Sequence, residues 1–260
     1  NLINPYIDQY RSHQLDLENQ NNTFIIKFSK FGLLALNNAA VKQSIEIVRR
    51  RIDDLGTKEP TIIQRGEKRI VVELPGLKDP SRIKTLLGKT AKLNFRLVSD
   101  SENEFGTEKM TSEDSQEVTV SKKIIMSGEN LIDAQPRVDN QSNLPVVSFT
   151  LDRYGAQKFG KVTTNNIGKK LAIVLDNKII SSPVIREAIT GGSGVISGNF
   201  NFQEVTDLAL LLRSGALPTP INIVEERTVG PDLGKDSIIS GTISLIIGFI
   251  LVVLYMFYKY

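Results

Sequence analysis

The most informative pattern in the chain is an uncharged segment near its C-terminal end. Residues 237–258 read SIISGTISLIIGFILVVLYMFY and contain no Asp, Glu, Lys, Arg or His. At about 1.5 Å per residue, an α-helix of this length measures about 33 Å, which is enough to cross the roughly 30 Å hydrocarbon core of a bilayer. The pattern therefore predicts one transmembrane helix, and Lys259 directly after it favours an orientation with the N-terminal end outside.

The strongest amphipathic helix before that segment is predicted for residues 33–55. Its apolar positions recur at intervals of 4, 3, 4 and 3 residues, which places them along one face. These positions are Val41, Ile45, Val48, Ile52 and Leu55. Arg49, Arg50 and Arg51 occupy the last turns, where cations are favourable near the negative end of the helix dipole. We interpret these three arginines as a solvated face, and Gly56 as the end of the helix.

Shorter segments around this helix carry strand and helix signals in turn. The predicted strands are residues 23–28, 60–64, 69–74 and 93–97. A turn containing Gly66 joins the second and third of these strands into a hairpin. Asp79 is an N-cap and Pro80 stands at the first helical position, so a helix is predicted up to Leu87, where Gly88 ends it.

A second unit begins where the composition changes. Residues 101–117 contain six acidic side chains against one lysine, which predicts a solvated loop or a domain boundary. The predicted strands that follow are residues 118–120, 146–151, 171–175 and 178–180. Asp152 caps a helix that extends to Ile167, and Asp176-Asn177 forms a two-residue hairpin turn. Pro183 confines residues 182–185 to a sheet edge or a turn.

The stretch before the membrane segment repeats an order seen earlier in the chain. A strand at 194–199 precedes a helix at 202–212, as the strand at 69–74 precedes the helix that ends at Leu87. This order favours two strand–helix halves of one α+β sheet, with the second unit inserted between them. A further strand is predicted at 221–224.

The composition disfavours several classes of function. The chain has no cysteine and one histidine, so a zinc site lacks the ligands it needs. His13 is the one conceivable base of a Ser-His-Asp triad, but it lies in the polar lead-in, far from any paired serine or carboxylate cluster. The net charge is only +3 and tryptophan is absent, which disfavours nucleic acid as a partner. The glycine-rich run at 191–194 lacks the lysine of a phosphate-binding loop and is interpreted as a connector. We expect no metal, no cofactor and no enzymatic activity.

Small residues recur on one side of the predicted membrane helix. They are Ser240, Gly241, Ser244 and Gly248. In lipid, a face of small residues allows another helix to approach closely. We therefore expect this face to pack against another membrane helix.

Four segments resemble the SecD family of bacterial protein-translocase subunits. The segments are RIVVELPG at 69–76, LRSGALPTP at 212–220, EERTVGPDLGKDSI at 225–238, and the stretch from LDNK at 175–178 to ISSPVI at 180–185. The Gly-Pro-Asp-Leu-Gly run that opens the membrane helix is the most specific of them. The resemblance extends from about Val41 to Leu254, which is most of the chain.

The resemblance implies an architecture that the patterns alone do not give. SecD-like proteins have six membrane helices and a large extracytoplasmic domain between the first two, with a ferredoxin-like base lobe and an inserted α+β head lobe. This chain would be that domain followed by the second membrane helix. The implied limits are 1–22 for a polar lead-in, 23–99 and 193–236 for the two parts of the base, 100–192 for the head, and 237–258 for the membrane helix.

The resemblance also implies a function and partners. The proton gradient would drive movement of the periplasmic domain and assist late translocation of preproteins across the bacterial inner membrane. The implied partners are SecF, the SecYEG translocon, unfolded preprotein and membrane lipid. The proton-coupling residues would lie outside this sequence, together with the further membrane helices that we expect.

Two groups of residues are candidates for that function. The candidates for contact with preprotein would form an apolar surface beside an edge strand. They are Phe149, Leu151, Ile179, Ile180, Val184 and Ile185. The alternative is that these residues are simply core of the lobe. The candidates for a connector that transmits movement into the membrane are Gly230, Pro231, Leu233 and Gly234. The alternative function is the ligand-binding ectodomain of a membrane-anchored sensor or solute receptor, which should show a deep pocket with convergent polar groups. A translocation lobe should instead show an apolar groove or a free strand edge.

Overall fold

The computed structural model divides the chain into two compact units, Asn1–Asn222 and Ile223–Tyr260. It describes residues 12–20, 23–57, 59–77, 79–99, 105–112, 115–140, 142–227 and 232–259, with the backbone alone for 232–237. The first unit contains five small antiparallel sheets and four α-helices in its described residues, and the second contains one long helix. The predicted α+β class with a single C-terminal helix of membrane length is confirmed.

The described part of the chain starts with a hairpin. Strand β1, Leu15–Gln20, pairs antiparallel with β2, Thr23–Phe28. The sequence predicts β2, but its interpretation of residues 1–22 as a loosely held lead-in is wrong for β1. The strand forms because Leu15 and Leu17 alternate with polar residues and lie opposite Phe28 and Ile26. Residues 1–11 lie outside the described part.

Helix α1, Lys30–Asp54, is the predicted amphipathic helix and begins three residues earlier than expected. Ser29 caps it, because its hydroxyl accepts a hydrogen bond from the amide of Gly32 at 2.8 Å. Val48 and Ile52 of the predicted apolar face are buried. Arg51 is fully buried as well, so its interpretation as part of a solvated face is wrong.

The α1 helix packs on a second hairpin. Strand β3, Thr61–Arg65, pairs with β4, Arg69–Glu73, as predicted. Helix α2, Pro80–Gly88, follows, with the Asp79 carboxylate accepting from the Arg82 amide as the predicted N-cap. A small hydrophobic core results, which we call the α1 core. Its buried residues are Ile47, Val48, Ile52, Ile62 and Leu217.

The next sheet has four strands in the order β12-β11-β5-β8. They are β5 Leu93–Leu97, β8 Met126–Ser127, β11 Leu171–Leu175 and β12 Lys178–Ser181. Between β5 and β8 lies a separate hairpin of β6, Thr107–Thr111, and β7, Glu117–Ser121. The interpretation of 101–117 as a solvated loop is therefore wrong for β6, and the alternative of a domain boundary stays a prediction. This strand forms because Met110 packs with Val118 beside a core on the outer face of β11.

A three-stranded sheet in the order β13-β10-β9 completes the first unit, with one helix before β11 and another after β13. Its strands are β9 Leu131–Val138, β10 Pro145–Leu151 and β13 Ser193–Ile196, and the helices are α3 Arg153–Asn165 and α4 Phe202–Ser214. The sequence did not predict β9, which contains Pro136. Proline is tolerated there because β9 is an edge strand of the sheet.

Most buried apolar residues of the first unit belong to one larger core, which we call the sheet core. It joins β5, β10, β11 and β13 with α3 and α4, so Val205 and Leu212 share a core with Phe95 and Phe149. The predicted head limits of 100 and 192 stay a prediction. The strand predicted at 221–224 is not formed, since residues 221–227 belong to no strand, although Ile221 packs against the α1 core.

The second unit consists mainly of helix α5, Asp232–Lys259. Its residues 238–259 form the predicted spanning segment, with a mean hydropathy of 2.5. Their length and composition suffice to cross a membrane, and the apolar side chains point outward around the whole helix. Such exposure of apolar residues is typical of a lipid-facing helix.

Candidate functional site

An apolar cavity of about 230 Å³ lies beside the sheet core. Phe95 of β5, Phe149 of β10 and Phe159 of α3 form its floor. The ring centroid of Phe95 lies 5.7 Å from that of Phe149 and 5.6 Å from that of Phe159, and the ring planes are inclined by 50° and 68° respectively. Tilted and edge-on pairs of this kind are favourable, so the three rings make a stable apolar surface.

Gly194 of β13 is required for this arrangement. A Cβ atom at residue 194 would lie 2.5 Å from Cζ of Phe149, well inside van der Waals contact. The glycine therefore lets the tip of the Phe149 ring approach β13 closely. Its neighbour Val195 is 53% exposed and lines the edge of the cavity.

A segment that we call the strap, residues 183–190, runs over the cavity. At one end, the Leu171 amide donates to the carbonyl of Pro183 and the Ile185 amide donates to the carbonyl of Lys169, both at 2.9 Å. At the other end, the Ile189 amide donates to the buried Thr163 hydroxyl at 2.9 Å. Arg186 and Glu187 lie between these anchors and are exposed. The strap is thus fixed at both ends and gives the cavity a rim with one charge of each sign.

A wider groove of about 650 Å³ adjoins the cavity at Val184, which lines both. The groove is more polar. Besides Val184, its lining includes Leu97, Ser121, Lys169 and Lys170. A narrow apolar cavity that opens beside a wider, partly cationic groove suits a chain with mixed side chains better than a single small molecule.

The structure separates the residues that were candidates for preprotein contact. Phe149, Leu151, Ile179 and Ile185 are buried, which agrees with the lobe-core alternative: their side chains fill the cores on the two faces of the sheets. Ile180 is partly buried, and Val184 is 47% exposed. Phe149, Val184 and Ile185 do line the cavity. Contact with preprotein stays a prediction for the whole set.

The sequence reasoning missed the other members of this site. Phe95 belongs to the strand predicted at 93–97 and Phe159 to the helix predicted after Asp152, but nothing in the sequence placed them next to Phe149. Gly194 ends the glycine-rich run interpreted as a connector and begins a predicted strand, and a glycine in a strand is a signal of close approach. That signal could have marked the site.

The other candidate residues belong to the second unit. Gly230 and Pro231 lie outside the described residues, and Leu233 and Gly234 fall in the first turn of α5, where only the backbone is described. Ser240, Gly241, Ser244 and Gly248 are exposed, and an added Cβ at either glycine would meet no atom within 4 Å. The face of small residues is therefore open within the second unit, and its packing against another helix stays a prediction.

The described residues contain no group of three or more His, Cys, Asp or Glu that could hold a metal ion. Around the cavity, the polar side chains are Arg186 and Glu187 of the strap. The arrangement can bind apolar groups and position charges at the rim. It presents no pair of nucleophile and base among the cavity residues.

Two family models match consecutive parts of the chain. The model for protein translocase subunit SecDF, P1 domain, N-terminal, matches residues 41–100, and the model for the SecDF P1 head subdomain matches residues 101–219. Together they cover well over half of the sequence.

The relatives agree with this assignment. The chain is 46% identical over 252 residues to protein translocase subunit SecD of Rickettsia felis, covering 92% of this chain and 48% of that protein. It is 47% identical over 242 residues to SecD of Acetobacter pasteurianus, covering 90% of this chain and 46% of that protein. The chain spans about half the length of these relatives.

Solved structures show the same fold. A crystal structure of SecDF in a super-membrane-facing form has a TM-score of 0.64 and 37% identity, and covers 82% of this chain and 31% of the SecDF chain. A structure of SecDF, described as a membrane component that enhances protein export, has a TM-score of 0.62 and 33% identity, and covers 83% of this chain and 98% of its own. The chain belongs to the SecD family.

Proposed function

We propose that this chain acts in protein translocation by binding unfolded preprotein at the cavity between the strap and the three phenylalanines. The observation that carries the proposal is an accessible apolar cavity, rimmed by Val184 and Val195, in a chain of the SecD family. Unfolded chains expose apolar side chains that a folded protein would bury. A cavity of about 230 Å³ accepts such a side chain without requiring a particular sequence.

The adjoining groove gives the rest of the polypeptide a place to lie. Val184 belongs to both, so an extended chain with one side chain in the cavity would continue past Lys169 and Lys170. Weak binding without chemistry follows, because a rim of this kind holds few groups in fixed positions. This would allow the preprotein to be released and bound again.

The wider setting is part of the same proposal. The domain lies on the periplasmic side of the bacterial inner membrane, works with SecF and the SecYEG translocon, and moves under the proton gradient through helices outside this sequence. The head lobe moves on the base lobe, and Gly230, Pro231, Leu233 and Gly234 transmit that movement to α5. The chain itself needs no cofactor and catalyses no reaction. Family membership supports this setting.

A solute-receptor function is less favoured by the cavity. A receptor pocket for a small polar solute presents several polar groups that converge on the ligand. Here the floor consists of three aromatic rings, and the exposed middle of the strap supplies the charges. The lining matches apolar side chains better than a polar solute.

Site-specific photo-crosslinking in the full-length protein tests the proposal. A photoreactive amino acid replaces Val184 or Val195 at the rim, and a preprotein is stalled during export. Both probes should capture the preprotein. The matched control is a probe at Phe202, which is 60% exposed on α4 and does not line the cavity.

The control decides the outcome. Capture at the two rim positions and little capture at Phe202 supports the proposal. Equal capture at all three positions would mean that exposure alone determines contact, and no capture at the rim while Phe202 crosslinks would reject the cavity as the binding site.

A further inference from the structure

The chain crosses twice between the α1 core and the sheet core. It leaves the α1 core at the end of α2 and enters the sheet core at β5, so residues 88–92 form the first crossing. It returns between the end of α4 and Leu217, which is buried in the α1 core, so residues 213–216 form the second crossing. Any relative movement of the two cores must bend both crossings.

One side chain of α1 holds both crossings. Arg51 is fully buried, and its Nη1 donates to the carbonyl oxygens of Leu86 at 2.7 Å and Lys89 at 2.6 Å. Its Nη2 donates to the carbonyl of Gly215 at 3.2 Å, and its Nε donates to the hydroxyl of Ser214 at 3.3 Å. The first pair of bonds reaches the first crossing and the end of α2, and the second pair reaches the second crossing.

A carboxylate holds the first crossing from the other side. Asp176 lies in the turn between β11 and β12, which belongs to the sheet core. Its Oδ1 accepts from the Thr90 hydroxyl at 2.6 Å and from the Lys92 amide at 2.9 Å, and its Oδ2 accepts from the Ala91 amide at 3.0 Å. Residues 89–92 are thus bound through their carbonyls by Arg51 and through their donors by Asp176.

The two crossings are also bonded to each other. The Leu217 amide donates to the carbonyl of Thr90 at 2.8 Å. Ala91 has a φ of +59°, a conformation that is unfavourable for a residue with a Cβ atom and that the surrounding bonds must maintain. The first crossing is therefore held in one strained shape rather than left as a free linker.

The chemistry favours arginine at residue 51. A planar guanidinium has five donors in a fixed fork and can reach carbonyls on two segments at once, which a lysine ammonium cannot do. Burial lowers the pKa of Arg51 to about 10, although Asp176 acts in the opposite direction. The group is therefore protonated at neutral pH and keeps all its donors.

We propose that Arg51 and Asp176 form a clasp that locks the two crossings together and so fixes the α1 core and the sheet core as one body. Opening the clasp lets the two cores turn relative to each other. The inference concerns the mechanics of the first unit and does not depend on what the cavity binds.

Distance measurements between spin labels test the clasp in the full chain in detergent micelles. The chain has no cysteine, so introduced cysteines are labelled uniquely. One pair, at Lys68 and Lys158, reports on the separation of the two cores, and a second pair, at Arg137 and Lys158, lies within the part that forms the sheet core. All three positions are exposed. The variants are Arg51→Lys and Asp176→Asn, and the matched control is Arg50→Lys, an exposed neighbour on the same helix.

Arg51→Lys should broaden the distance distribution of the first pair about twofold or more and leave the second pair unchanged, because local opening is independent of the sheet core. Asp176→Asn should broaden it less, since an amide oxygen still accepts one of the bonds. Arg50→Lys should match the parent chain. A distribution for Arg51→Lys as narrow as the parent's overturns the proposal, and so does equal broadening of both pairs, which would show general loosening.

Hydrogen exchange gives a second readout that a general loss of stability would not mimic. The amides of Ala91, Lys92 and Leu217 should exchange about tenfold faster or more in Arg51→Lys, because their bonds belong to the clasp. Amides of β10 should keep their protection. Equal acceleration at β10 and at the crossings would overturn the clasp.

Discussion

The α1 core and the sheet core differ in how completely they are closed. The α1 core ends at Arg51, where six hydrogen-bond acceptors surround one guanidinium and each of its nitrogens has a partner. The sheet core ends at a cavity of about 230 Å³ beside three phenylalanine rings. The hydrogen bonds of Arg51 fix the positions of the groups around it, whereas the sheet core remains partly open at the cavity. This difference matches the two proposed roles, rigidity at the buried arginine and binding at the cavity.

Among the variants that test this difference, Arg51→Met should lower the free energy of unfolding most. Methionine fills part of the volume but leaves several buried carbonyls and the Ser214 hydroxyl without their donor. We expect the free energy of unfolding to fall by about 3–5 kcal/mol. Urea unfolding followed by circular dichroism measures it. Arg50→Met should change it little because Arg50 is exposed, and similar losses for both variants would contradict the role of burial.

A smaller loss of stability is expected from a substitution beside the cavity. Gly194→Ala should destabilise the unit by about 1–3 kcal/mol, because the new methyl group lies 2.5 Å from Cζ of Phe149 and forces the ring to move into the cavity. The control is Gly191→Ala, where an added Cβ meets no atom within 4 Å. Thermal unfolding of both variants measures the difference. Equal stabilities would show that the ring moves without cost.

A still smaller effect should come from an ion pair near the crossings. The Nη2 atom of Arg82 in α2 lies 2.6 Å from Oδ1 of Asp207 in α4, but both side chains are partly exposed. Asp207→Asn should cost no more than about 1 kcal/mol, since solvent screens such pairs. The loss in free energy of unfolding should be smaller still in 1 M salt. A loss that does not depend on salt and is as large as that of Arg51→Met would show that the surface pair and the buried clasp do not differ in kind.

The smallest effect on the stability of the first unit is expected from the connector. Gly230→Val and Gly234→Val lie outside that unit, so its thermal unfolding should not change. Export by the complete protein should nevertheless fall, because a valine removes conformational freedom at the entry to α5. Export assays beside unfolding curves separate the two effects. Normal export with valine at both positions would mean that the segment only tethers the domain.

Local signals in the sequence predicted much of the fold. Asp79-Pro80 predicted the start of α2, and Asp176-Asn177 predicted the β11–β12 turn, in which both residues have positive φ. These features depend on neighbouring residues alone. The three-residue error at the start of α1 arose because Ser29 caps the helix from a position that the apolar pattern does not mark.

Features that depend on distant partners could not be predicted. Arg51 is buried because acceptors about 35 and 163 residues further along the chain surround it. Its neighbours Arg49 and Arg50 have the same chemistry and are exposed. The cavity has the same character, since Phe95, Phe149 and Phe159 come from three elements. Strand β9 escaped notice because Pro136 argues locally against a strand, and only its edge position tolerates it.

The most direct test of the proposed function uses the absence of tryptophan from the chain. A single tryptophan replaces Val184 at the cavity rim, or Phe202 as the exposed control, in the complete chain in detergent. An unfolded preprotein without tryptophan is then added, and emission is recorded. We expect a blue shift that saturates with preprotein for Val184→Trp and no shift for Phe202→Trp, because only the rim becomes covered. An unchanged spectrum for Val184→Trp at preprotein concentrations that support export would contradict it.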